Sequence, residues 1–203
     1  MLNEFVHVID DDEAARESLA FLLESADMPN RTYASAELFL AALPDVKSGC
    51  VVTDVRMPGM SGLDLLGRLI QAKSTLPVIV ITGHSDVHLA VSAMKAGAVD
   101  FIEKPFDDDT LLSAIRAALA RHADDSQRQR RIDEVRGRLD SLSEREREVL
   151  DRLVAGKPNK IIAHELGISA RTVEVYRANV MTKMRADSLP DLVRMVLLEG
   201  VRR

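Results

Sequence analysis

The first part of the chain alternates between short apolar runs and longer stretches with helical spacing. Phe5-Val6-His7-Val8-Ile9 is strand-length and stops at Asp10-Asp11-Asp12, after which Ala15, Leu19, Leu22, Leu23 and Ala26 recur as one helix face. A short strand around Thr32-Tyr33 leads into a helix through Leu38, Phe39 and Leu43. Val51-Val52-Thr53 is a β-branched run ending at Asp54, and the Pro58-Gly59 and Ser61-Gly62 pairs behind it mark a loop. Leu63, Leu65, Leu66, Leu69 and Ile70 carry the next helix. Pro77 introduces Val78-Ile79-Val80-Ile81, which ends at Thr82-Gly83. A helix holding Val87, Val91 and Met94 leads through Gly97 to Val99-Asp100-Phe101-Ile102, closed by Glu103-Lys104-Pro105. A last helix carries Leu111, Leu112, Ile115 and Leu119. This alternation predicts an α/β domain: a five-stranded parallel sheet of flavodoxin-like order 2-1-3-4-5, with helices on both faces.

The pattern then changes. Residues 120–141 are charged and poor in glycine, with Ile132, Val135, Leu139 and Leu142 spaced as one helical stripe that is too short for a coiled coil. Ser143-Glu144-Arg145-Glu146 matches a capping box and opens a helix with Val149, Leu150, Leu153 and Val154, which ends at Gly156. A second helix runs from Asn159 to Leu166 and breaks at Gly167; Ser169 caps a third, with Val173, Val180 and Met184 on one face. Two short helices around a tight glycine-containing turn form a helix-turn-helix, whose second member enters the DNA major groove. The expected organisation is an α/β domain over 1–122, a helical linker over 123–140 and an all-α helix-turn-helix domain over 141–203.

Composition sharpens this division. The 203 residues are 46% hydrophobic and 29% charged, ordinary for a soluble globular chain. No apolar run approaches the ~20 residues of a membrane span, and no secretory leader opens the chain, so a cytoplasmic protein without a membrane partner is expected. Cys50, the single cysteine, reads as a buried hydrophobe. The net charge of −5 hides two opposite halves: residues 1–127 carry 10 Lys/Arg against 20 Asp/Glu, and residues 128–203 carry 17 against 12. An acidic half suits cations and a basic half suits a polyanion.

Parallel α/β sheets place their sites at the carboxyl ends of the strands. Asp10 and Asp11 end the first strand, Asp54 the third, Thr82 the fourth and Lys104 the fifth. Two carboxylates ~4 Å apart repel by up to ~4 kcal/mol at an effective dielectric of 20, so three crowded together call for a cation or shared protons. Mg²⁺ takes such oxygen ligands, with Asp11, Asp54 and the Arg56 carbonyl in reach. Lys104 and the Thr82 hydroxyl then suit the negative charge of an incoming phosphoryl group. The plainer alternatives are an Asp54 that caps the next turn and an Asp–Lys pair that ties loops together. Neither explains why every strand end but the second is polar and reactive in type. His84 and His88, four apart around Asp86, lack a third strong ligand nearby and read as a polar loop and helix start.

Val8-Ile9-Asp10-Asp11, Asp54 followed by Met57-Pro58-Gly59, Thr82-Gly83 and Lys104-Pro105-Phe106 together resemble the receiver domain of two-component response regulators. The resemblance implies that Asp54 accepts phosphate from a sensor histidine kinase, that Asp10, Asp11 and the Arg56 carbonyl organise Mg²⁺, and that Lys104 contacts the phosphate. It further implies that Thr82 follows the phosphate inward, that Phe101 turns with it as the aromatic switch, and that the segment from Val87 to Ile102 becomes a homodimer face. Leu142-Ser143-Glu144-Arg145-Glu146, Asn159-Lys160-Ile161-Ile162-Ala163, Ile168-Ser169, Thr172-Val173, Asn179 and Lys183 resemble the LuxR-type output domain.

Two positions depart from that pattern: Glu174 where members often carry Lys, and Tyr176 where His is frequent. Arg171, Glu174, Val175, Ala178 and Thr182 lie opposite the apolar face, and Glu174 can accept from a cytosine amino group. Lys160, Arg171, Arg177 and Lys183 are expected on phosphates, and Thr172 and Asn179 complete the expected DNA-contacting set. The whole chain resembles the nitrogen-fixation regulators of this family, which implies an oxygen-sensing haem kinase as phosphate donor. The expectation is a phosphorylation-switched transcription factor rather than an enzyme, with promoter DNA and RNA polymerase as partners. The rival readings are a Mg²⁺-dependent phosphatase working through a phospho-aspartate, against which stand Val55 and Arg56 where a second carboxylate would be wanted, and a constitutive DNA-binding protein with a docking receiver.

Overall fold

The computed structural model describes residues 4–83 and 87–200. The chain divides into two compact units between Asp124 and Asp125. In the first, strands β1 (Phe5–Ile9), β2 (Asn30–Tyr33), β3 (Gly49–Asp54), β4 (Val78–Thr82) and β5 (Asp100–Glu103) form one parallel sheet of order β2-β1-β3-β4-β5. Helices α1 (Glu13–Ser25), α2 (Ala36–Ala42), α3 (Gly62–Gln71), α4 (Val87–Lys95) and the start of α5 (Asp108–Asp140) alternate with them. The predicted order and parallel pairing are the observed ones.

Strand parity sorts the core into two layers. Val6, Val8, Cys50, Val52, Ile79 and Ile81 meet Leu19 and Leu23 of α1 and Leu111 and Ile115 of α5. Ile9, Val51, Val78 and Val80 point the other way, onto Phe39 of α2 and Leu65, Leu66 and Leu69 of α3. Apolar residues are thus needed on both faces, which is why β3 and β4 read as continuous runs rather than alternating ones. The same parity positions the site. Val8 pairs with Val52 and Ile9 with Thr53, so one further step brings Asp10 alongside Asp54 on the α1–α5 face.

Two residues differ from the sequence pattern. Leu38 and Ile70 are half exposed although they continue apolar helix runs. Each follows or precedes a fully buried neighbour, and the 100° step between adjacent helical residues leaves room for one of the two on the core face. The helical linker expected over 123–140 falls within α5, which begins at Asp108. No proline or glycine interrupts that span before Gly137. Finally, His84 and Asp86 of the histidine pair considered above lie outside the described residues.

His7 sits on β1 at 3% exposure among Phe5, Tyr33 and Phe39. Its Nδ1 is 3.3 Å from the Tyr33 hydroxyl, and Nε2 has no hydrogen-bond partner. Burial, followed by the positive charge of Arg31, pushes the imidazole pKa down; a backbone group at Ser48 pulls the other way without closing a hydrogen bond to Nε2. The folded-state pKa thus lies below the unfolded value of about 6.5, and the unfolded chain binds the proton first as pH falls. Stability from this residue is therefore present above about 6.5 and lost below it. Denaturant midpoints measured from neutral to mildly acidic pH should fall less steeply for His7→Phe than for the wild type. Cys50 on β3, paired with Val6 of β1, is fully buried on the other face, and burial pushes its thiol up to about 12.

The second unit holds the end of α5 with α6 (Glu144–Val154), α7 (Asn159–Leu166), α8 (Ala170–Met184) and α9 (Leu189–Gly200). Val135 and Leu142 from the predicted stripe pack with Leu150, Val180, Met184 and Leu192. Val149, Leu153, Ile162, Ala163 and Val173 make a second cluster between α6, α7 and α8. Ser143 and Glu146 form both halves of the capping box. Gly167 ends α7 in the left-handed region at φ 64, where a side chain would be strained, and Ser169 caps α8 immediately after.

Candidate functional site

Asp54 closes β3 with its side chain 12% exposed. Its Oδ2 accepts the Arg56 amide at 2.6 Å, and its Oδ1 accepts Lys104 Nζ at 3.0 Å. The same ammonium reaches Asp10 Oδ2 at 2.9 Å, so one cation bridges the ends of the two central strands. Asp10 is buried, and its Oδ1 accepts the Asp12 amide at 2.9 Å. Asp12 then caps α1 by accepting from Ala14 and Ala15. Burial would lower the Lys104 pKa, but the hydrogen bonds and charges of Asp10 and Asp54 outweigh it and hold the ammonium above the ordinary lysine range. Lys104 is also tied by its backbone amide to the Thr82 carbonyl at 2.7 Å. Thr82 is buried on β4, and Phe101 on β5 is half-buried against the layer that contains Val51 and Val80.

The expected crowd of three carboxylates is therefore a pair. Asp11 is exposed, and among the described residues no three acidic, histidine or cysteine side chains converge as a metal site. In this arrangement the Lys104 ammonium offsets part of the charge of Asp10 and Asp54. That ammonium nonetheless marks a position where hard oxygens from Asp10 and Asp54 face one positive charge, and Mg²⁺ favours such a donor set.

On α8, Arg171, Glu174, Val175, Ala178, Asn179 and Thr182 are exposed opposite the buried Val173, Val180 and Met184. Lys160 on α7 is exposed too, while Thr172 and Arg177 are partly buried. The Thr172 hydroxyl meets the capping Ser169 hydroxyl at 2.7 Å. Lys183 is exposed and also has partners within the unit: its ammonium binds Glu146 Oε2 at 2.6 Å and the Ser141 carbonyl at 3.3 Å, pinning the end of α8 to the start of α6. That hydrogen bond, with the Ser143 amide, holds the Glu146 carboxyl below the usual carboxylate range. Tyr176 packs against the cluster that contains Val149 and Val173, so the residue that departs from the LuxR pattern is partly a core residue.

Comparison with known proteins agrees with both halves. Residues 6–116 match the response regulator receiver domain, and residues 140–196 match the bacterial regulatory proteins of the luxR family. The chain is 59% identical to the transcriptional regulatory protein FixJ of Azorhizobium caulinodans, over 97% of this chain and 93% of that one. Among solved structures, the response regulator StyR superposes with a TM-score of 0.89 at 41% identity, covering 96% of this chain and 98% of that one. Full-length FixJ from B. japonicum superposes with a TM-score of 0.63 at 49% identity, covering all of both chains.

The chain belongs to the LuxR-type response regulators. As a member, it is a transcription regulator whose DNA-binding domain is governed by phosphorylation of its receiver, and receivers characteristically use Mg²⁺ in that step. No helix among the described residues is long and apolar enough to cross a membrane.

This response regulator also has supports around Asp54 that no local sequence signal announces. Gly62 places its amide on the Val55 carbonyl at 3.0 Å, and a Cβ there would stand 2.2 Å from the Asp54 carbonyl oxygen. Glu37 of α2 accepts the Met60 amide at 3.1 Å, holding the loop behind Asp54. Both contacts join residues whose partners are set by the folded sheet rather than by sequence spacing.

Proposed function

We propose that Asp54 is the phosphoacceptor of this response regulator and that its phosphorylation, by a sensor histidine kinase, promotes a homodimer that binds promoter DNA. The bridging of Asp10 and Asp54 by Lys104 carries this reading, because it gathers a nucleophile, a cation-binding pair and a phosphate-binding cation at one strand edge. A carboxylate oxygen of Asp54 attacks the phosphorus of the donor phosphohistidine; the new P–O bond forms as the P–N bond breaks. Asp10, Asp11, Asp54 and the Arg56 carbonyl would hold Mg²⁺, which would supply positive charge against the transferring phosphoryl group. Lys104 shifts from the carboxylates to a phosphoryl oxygen. The Thr82 hydroxyl then turns toward the phosphoryl group, and Phe101 repacks into the space it leaves. Exposed Val91, Met94 and Val99 on α4 and before β5 supply an apolar dimer face.

In the output domain, Arg171, Arg177 and Lys160 meet phosphates, while Glu174, Val175, Ala178, Asn179 and Thr172 approach the groove. The FixJ relatives favour activation of nitrogen-fixation or oxygen-responsive genes, with an oxygen-sensing haem kinase upstream and RNA polymerase downstream. Such a role belongs in the cytoplasm. The deciding experiment is a titration of a promoter fragment with the full chain, with and without acetyl phosphate and Mg²⁺. Tighter binding that requires both sustains the reading. Equal affinity in all conditions would replace it with a constitutive DNA binder, and steady phosphate release from small monoesters with a phosphatase.

A further inference from the structure

Arg16 is a charged residue that the reading of the pocket leaves unused. It is the fourth residue of α1, in the turn where the helix dipole disfavours a cation, and it is partly buried rather than extended into solvent. Its Nη1 donates to the Asp10 carbonyl at 2.8 Å and to the Asp11 carbonyl at 2.9 Å. Two successive carbonyls turned to one donor fix the backbone at the point where the acidic loop leaves β1. The other side of that turn is held by the Asp12 amide on Asp10 Oδ1 and by Lys104 on Asp10 Oδ2. Asp10 is consequently gripped on three sides, and the direction of the Asp11 side chain follows from the same peptide units.

We propose that Arg16 is a positioning residue of the phosphoacceptor pocket: its guanidinium clamps the carbonyls of Asp10 and Asp11 and so presents their carboxylates for Mg²⁺. An arginine suits this task because one terminal nitrogen carries two hydrogens in a rigid fork, and the charge strengthens both bonds. The inference rests on the reading of Asp10, Asp11 and Asp54 as the Mg²⁺-binding phosphoacceptor site.

Geometry and charge predict opposite signs here, and that makes the idea testable. If Arg16 acted only as a nearby positive charge, removing it would make the pocket more negative and Mg²⁺ would bind more tightly. If it positions the loop, Mg²⁺ binds more weakly, by about tenfold on the scale seen when groups that orient metal ligands are lost. Mg²⁺ dissociation constants are measured on the full chain from amide chemical shifts, with melting temperature recorded in parallel. Arg16→Met should raise the constant about tenfold. Arg16→Lys, which keeps charge but loses the fork, should raise it less.

An unchanged or lower constant in folded Arg16→Met overturns the proposal, even if its melting temperature drops, since that pattern is a structural role alone. Where Arg16→Met does not fold, Arg16→Lys decides: weaker Mg²⁺ binding sustains the proposal and wild-type affinity overturns it. Uptake of phosphate from acetyl phosphate separates the two levels of failure. A wild type whose Mg²⁺-dependent uptake is absent, or is retained in Asp54→Asn, overturns the reading of the pocket and with it the role of Arg16. A wild type that behaves as proposed beside an Arg16→Met with normal Mg²⁺ affinity defeats the Arg16 role alone.

Discussion

Asp54→Asn should abolish phosphate uptake and make DNA affinity indifferent to acetyl phosphate. The substitution is nearly isosteric and leaves the pocket's supports in place. An asparagine carbonyl can still accept the Arg56 amide, and Lys104 retains Asp10 at 2.9 Å. What disappears is the nucleophile, because an amide at this point has no oxygen able to form an acyl phosphate. The expected loss is large because phosphorylation acts through pairing. Two recognition helices joined in one dimer bind their half-sites at an effective concentration in the millimolar range, which can tighten overall binding by about 10²- to 10⁴-fold. Without the acyl phosphate that gain is not reached. Binding isotherms of wild type and variant should therefore coincide without phosphodonor and separate when acetyl phosphate and Mg²⁺ are added. Isotherms that shift equally in both proteins would remove Asp54 from the mechanism.

Most of the sheet could be read from the chain because its cause is local and periodic. Alternating parity along β1 and β3 requires Val8 and Val52 to share a face, and the same count carried to the strand ends sets Asp10 beside Asp54. The Ser143–Glu146 capping box and Gly167 are likewise four- and one-residue signals with a fixed backbone meaning. Contacts between distant elements were legible only through the shared strand edge of a parallel sheet and the family pattern. Lys104 lies 94 residues from Asp10 and 50 from Asp54, and no spacing rule links them. Asp11 looked equivalent to Asp10, yet Asp10 is buried beside Asp54 while Asp11, one residue further into the loop, is exposed. Lys183 looked like a phosphate contact because a lysine on the recognition helix ordinarily is one. Its engagement with Glu146 depends on how α6 crosses α8, which is a tertiary fact. Arg16 carried no sequence signal, since nothing in its neighbours shows that two carbonyls turn toward it.

Gly62→Ala should destabilise the receiver and impair phosphorylation together, against what helix propensity alone would forecast. Gly62 is the first residue of α3, where alanine would ordinarily be the better helix former. Here an added Cβ would fall 2.2 Å from the Asp54 carbonyl oxygen, and 3.1 Å from both the Asp54 carbonyl carbon and Thr53 Cγ2. The obstacle is backbone at the end of a fully buried strand, so it cannot swing aside as a side chain would. Overpacking of this kind costs about 1–3 kcal/mol. Relief requires α3 to move away from β3 or the end of β3 to move, and the second displaces Asp54 from Lys104 and the Arg56 amide. Gly67, five residues along the same helix, is the matched control: a Cβ there meets nothing within 4 Å. Gly67→Ala should therefore stabilise the receiver, by about 0.5–1 kcal/mol. Opposite shifts in denaturation midpoint, with phosphate uptake reduced in Gly62→Ala and intact in Gly67→Ala, would tie the defect to contact with Asp54. If both alanines stabilised the domain and left uptake unchanged, the close approach of α3 to the phosphoacceptor strand would have no functional weight.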